Sequence, residues 1–160
     1  MMQVKIHQVK SRLSTHAFKP GGITAMDALK RADAAIEDLR PPCLEDLDTA
    51  LLSLADRFGR AASGRVSEDY RDLYALASRV IDSSIGLPGS GIERAARALC
   101  EFVDVADGPG VRDWAAVDVH IDSLKLLRAA GVAMSKGQRE AVFDGLAKLA
   151  RKRLGEQDVA

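Results

Sequence analysis

The sequence predicts an all-α protein, a single-domain bundle of about six mostly antiparallel helices that follows a basic N-terminal arm. Three observations favour this fold. Apolar residues recur three and four positions apart along most of the chain, which is the period of one helix face. Short segments rich in glycine and proline interrupt that pattern, and residues typical of strands are too scattered to form a sheet. A chain of 160 residues is long enough to bury a core of its own.

The first helix follows the arm, which comprises residues 1–22 and ends at Pro20-Gly21-Gly22. Thr24 and Asp27 have the spacing of a capping box at a helix start. The pair Pro41-Pro42 predicts the end of this helix, because proline disfavours the helical conformation of the residue before it. The face predicted to point inward consists of Ala25, Ala28, Leu29, Ala32, Ala35, Ile36 and Leu39.

Two further helices are predicted between Pro42 and the glycine-rich segment at residues 86–89. The second helix has an apolar face that runs from Leu44 to Ala62 and ends at Ser63-Gly64. The third begins at Ser67, a good N-cap that two acids follow in the first turn. It ends at Gly86-Leu87-Pro88-Gly89, which we interpret as a turn between helices and not as a phosphate-binding loop, since neither a strand nor a Gly-Lys-Ser/Thr motif accompanies it.

The last three helices are predicted between Ser90 and the basic C-terminal end. Ser90 with Glu93 predicts a capping box for the fourth helix, and Gly108-Pro109-Gly110 ends it. The fifth helix is expected from about Arg112 to Gly131. Ser135 with Gln138 predicts the capping box of the sixth helix, which finishes in Arg151-Lys152-Arg153.

The charge of the chain indicates which partners it can bind, and its cysteines indicate the compartment in which it works. Lysine plus arginine equals aspartate plus glutamate at 23 each, so we expect neither nucleic acid nor membrane insertion. Residues 1–22 carry a net charge of +4, and the remaining 19 bases face 23 acids, a net charge of −4. Cys43 and Cys100 are far apart, so we expect free thiols in the cytoplasm, with no signal peptide and no transmembrane segment. The sequence predicts no cofactor and no metal site.

His120 is the one side chain in a predicted helix that is suited to chemistry. It falls at the edge of the apolar stripe of the fifth helix, close to Leu124, and Asp118 and Asp122 flank it. A nearby carboxylate fixes the tautomer of an imidazole and raises its pKa. Three interpretations stay open: a structural histidine at the core boundary, a contact with a partner protein, and a phosphoryl acceptor.

The phosphoryl-acceptor interpretation departs from the motif of histidine phosphotransfer domains. Those domains place a lysine three residues after the histidine, whereas here the third residue is Ser123 and the supporting cation would be Lys125. The correct spacing does occur at His7-Lys10 and His16-Lys19, but both pairs lie in the arm. A response-regulator phosphatase is not expected, because no glutamine follows an acid at helical spacing and the chain contains no asparagine. We therefore predict no enzyme.

The order of these segments resembles the small helical CheE-like proteins encoded in some bacterial chemotaxis operons. The resemblance lies in residues 20–24, 27–29, 32–34, 43–48, 72–74 with the block that continues to Cys100, and 116–127. It implies an accessory role near a receptor–kinase–response-regulator pathway and supplies no catalytic residue. We thus expect a protein-interaction module of chemotaxis or two-component signalling. Its expected partners are a kinase, an adaptor or a response regulator, and small residues on its helix faces favour a homodimer. Divergent phosphotransfer through His120 is the alternative.

Overall fold

The all-α fold is confirmed in a computed structural model, which describes residues 23–62, 65, 70–106 and 113–155. These residues form five α-helices where the spacing of breaks predicts six. They are α1 (Ala25–Phe58), α2 (Tyr70–Ser83), α3 (Ile92–Ala106), α4 (Trp114–Ala130) and α5 (Lys136–Gly155), with a 3₁₀ turn at Ser84–Gly86. The predicted arm and the predicted N-cap at Ser67 lie outside the described residues.

The missing break is at Pro41-Pro42, where the structure has one uninterrupted helix of 34 residues. The prediction that α1 ends there is wrong. A proline removes one N–H and crowds the preceding turn, which weakens a helix without forbidding its continuation. The two ring nitrogens cannot donate to the carbonyls four residues earlier, those of residues 37 and 38. The chain divides into two units next to these two carbonyls, between Asp38 and Leu39.

The core of residues 39–155 is made by the second half of α1 and by all four later helices. α3 contacts α2, α4 and α5, so it is the central helix of this bundle. The largest side chains that are fully enclosed are Phe58, Tyr70 and Phe102, together with Leu47, Leu54, Leu73, Ile92, Leu99, His120, Ile121, Leu124 and Leu127. Trp114 packs against this core with its ring stacked on Phe58 at 6.2 Å and in edge contact with Tyr70 at 5.4 Å.

Ion pairs connect the second half of α1 to its neighbours. Arg57 donates to Asp72 of α2 at 2.7 Å. Arg128 of α4 donates through two nitrogens to the two oxygens of Asp48, at 2.6 and 2.9 Å. A two-bond arginine–carboxylate pair fixes geometry better than a single contact does. These pairs join the second half of α1 to α2 and α4.

The turn between α2 and α3 depends on two glycines. Gly89 and Gly91 have φ of 77° and 80°, a conformation that favours glycine. A Cβ at Gly91 would also lie 2.6 Å from Cζ of Phe143 on α5. The predicted turn is thus confirmed, and Gly91 allows α5 to approach it closely.

Of the predicted capping boxes, the one at Ser135 forms completely, and at Thr24 only the N-cap hydrogen bond of the box forms. Thr24 Oγ accepts from the N–H of Asp27 at 3.1 Å and donates to its carboxylate at 2.8 Å. At α5, Ser135 Oγ accepts from the N–H of Gln138 at 3.2 Å, and the Gln138 side chain accepts from the N–H of Ser135 at 2.8 Å. Ser90 accepts from the N–H of Ile92, while Glu93 pairs with Arg97 instead of closing a box. None of the described helices combines the length and the hydropathy that crossing a bilayer requires.

Candidate functional site

His120 lies in the core and not at its edge. Only 1% of the residue is exposed, because α4 turns it inward together with Ile121, Leu124 and Leu127. Its ring stacks on Phe102 of α3, with the ring centres 5.4 Å apart and an angle of 29° between the planes. The imidazole therefore takes the place of an apolar side chain at the contact between α3 and α4.

The electrostatic environment keeps the His120 imidazole neutral. Burial lowers the pKa of His120 from 6.5 to about 4, because the charged form loses its hydration. Neither Nδ1 nor Nε2 has a hydrogen-bond partner among the described residues. A phosphoryl acceptor needs a ring nitrogen that the donor phosphate can reach. The enclosed ring of His120 does not offer one in this structure.

The acids near His120 in the sequence serve other groups. Asp113 is the N-cap of α4, where its carboxylate accepts from the N–H of Ala116 at 3.0 Å. Asp118, whose side chain is 8% exposed, accepts from Arg65 at 2.7 Å and lies 3.7 Å from Arg60. Asp122 pairs with the same Arg60 at 3.3 Å. The expectation that a carboxylate raises the pKa of His120 is therefore wrong.

Lys125, the predicted supporting cation, lies on a different side of α4 from His120. Five residues at 100° each place the two side chains about 140° apart around the helix. Lys125 is exposed and lines an open groove of about 520 Å³ between α4 and the second half of α1. We call this the α1–α4 groove; its lining consists of Asp48, Leu51, Leu52, Ala55, Lys125 and Arg128. The structure thus separates the two residues that the phosphotransfer hypothesis combines.

The α1–α4 groove has an apolar wall and charged ends. Leu52 in this wall is 65% exposed. On a different side of α4 from Lys125 and Arg128, Val119 and Leu126 are 43% and 45% exposed. Arg128 and Asp48 neutralise each other. The net charge of the groove lining is therefore positive, because of Lys125. α4 therefore has apolar side chains both on its buried face and on its outer face.

A second cavity, of about 390 Å³, lies at the start of α3 beside the glycine turn. Three arginines line it, which is a composition suited to anions. Each of them is already engaged. Arg94 donates twice to Glu140 and Arg97 to Glu93, and Arg139 donates to the carbonyls of Gly131 and Met134. These contacts account for all three arginines, and the pair of Arg94 with Glu140 joins α3 to α5.

The two cysteines are free thiols. Cys43 is half-buried and Cys100 is buried, and burial raises the pKa of the Cys100 thiol. The Sγ of Cys100 lies 3.9 Å from Oγ of Ser78. Within the described ranges, no three histidine, cysteine or acidic side chains come together as metal ligands would.

Comparisons with protein-family models, with curated proteins and with solved structures find no match to this chain. The function must therefore be argued from the residues themselves. Sequence reasoning missed the roles of Arg60 and Arg65, which bind the acids of α4 across 53 to 62 residues of chain. No local pattern marks these pairs, since they depend on how the end of α1 packs.

Proposed function

We propose that this chain is a non-catalytic, cytoplasmic interaction module of bacterial chemotaxis or two-component signalling, which binds a kinase, an adaptor or a response regulator. The resemblance in the sequence supports the pathway. The observation that carries the proposal is the contrast between His120 and the surface of α4. The side chain suited to chemistry is 1% exposed, while Leu52 exposes apolar surface at the α1–α4 groove and Val119 and Leu126 expose it on the outer face of α4.

The α1–α4 groove suits one amphipathic helix of the partner. Helices commonly dock by placing an apolar face into such a groove, with anchors one turn apart. Leu51, Leu52 and Ala55 supply the apolar wall, and Lys125 favours a partner helix with an acidic residue at its edge. The partner is thus expected to present leucine-like anchors beside a carboxylate.

The test is direct binding between the purified full chain and the chemotaxis kinases, adaptors and response regulators of the same organism. We expect one of them to bind with micromolar affinity, and Leu52→Glu or Lys125→Glu to weaken binding by about tenfold or more. Ile85→Glu is the matched control, because Ile85 is also exposed, at 50%, but lies in the 3₁₀ turn. Failure of all candidates to bind, or equal loss in the control, would contradict the proposal.

Phosphotransfer through His120 remains the alternative function, and no contact in the structure favours it. It requires α3 and α4 to separate so that Nε2 meets the phosphoryl donor. Incubation with a phosphorylated response regulator or kinase separates the two functions. We expect no acid-labile label on the wild-type chain, whereas a label that His120→Gln removes would establish phosphotransfer.

A further inference from the structure

We draw no further inference here: the strongest candidate, the exposed apolar face that includes Leu29 and Ile36 on the first half of α1, carries none because nothing in the described part of the chain shows what covers it.

Discussion

The two halves of α1 have the same kind of sequence and different surroundings. Residues 25–38 are amphipathic, with an apolar stripe on one face, and every side chain among them is exposed. In the second half, Leu47, Leu54 and Phe58 have no exposed surface, and ion pairs hold this half against α2 and α4. The comparison teaches that helical spacing predicts which face is apolar but not what covers it.

The prolines account for where the two halves differ. They remove two hydrogen bonds from the middle of α1, and the chain divides into two units at the carbonyls that lose them. A helix can thus continue past the break while its two parts belong to different units. The second half contributes to the core, whereas the first half exposes its apolar stripe.

Truncation of one leucine in each half should give the largest difference. Leu54→Ala removes a fully buried side chain and leaves a cavity, so we expect a loss of about 2–5 kcal/mol in the free energy of unfolding. Leu29→Ala should change it by less than about 0.5 kcal/mol in dilute solution, since Leu29 is exposed. Urea denaturation at low protein concentration measures both. Equal losses would show that the first half is part of the core.

Acid should destabilise the bundle through His120, whose imidazole is enclosed in the core. Its pKa is about 4 in the folded chain and about 6.5 in the unfolded chain, so only the unfolded chain gains this proton between those values. Stability should therefore be constant above about pH 6.5, and should fall as the pH decreases from 6.5 to 4, by up to about 3 kcal/mol. Urea denaturation at pH 7.5 and pH 4.5 measures the loss.

His120→Leu is the control for that pH dependence. It should remove most of the loss. It also eliminates two buried ring nitrogens that have no hydrogen-bond partner among the described residues, so it should raise stability at pH 7.5 by about 1–2 kcal/mol. Asp46 and Asp48 act in a separate window, since hydrogen bonds from Arg79 and Arg128 hold their pKa values below 3.8. A pH profile unchanged in His120→Leu would contradict the enclosed, neutral imidazole.

Substitution of the two N-cap residues should give the smallest difference. Thr24→Ala and Ser135→Ala remove the same kind of hydrogen bond from the first turn of α1 and of α5, each at a cost of about 1 kcal/mol. Loss of the α5 cap should lower the midpoint of global unfolding. Loss of the α1 cap should reduce helicity by circular dichroism at low concentration and leave that midpoint unchanged. A lower midpoint in both variants would argue against separate units.

Much of the fold could be predicted from the sequence because its signals are local. The three-and-four spacing predicts helices, and the N-cap at Thr24, the capping box at Ser135 and the glycine turn at residues 86–91 form as expected. The end predicted at Pro41-Pro42 is wrong, because a proline lowers the stability of a helix without setting its boundary. The inward stripe predicted for the first helix is also wrong, since it is exposed.

The candidate site was harder to predict because it depends on tertiary packing. Spacing placed His120 beside Leu124 but could not show that Phe102 of α3 covers the ring. The acids beside it in sequence were expected to act on it, and they bind Arg60 and Arg65 instead. Only the packing of helices distant in sequence decides such partners.

Hydrogen–deuterium exchange of the full chain tests the central claim most directly, because it reports on both halves of α1 in one experiment. We expect amides of residues 47–58 to be protected and amides of residues 25–38 to exchange quickly. Equal protection of both halves would contradict the account.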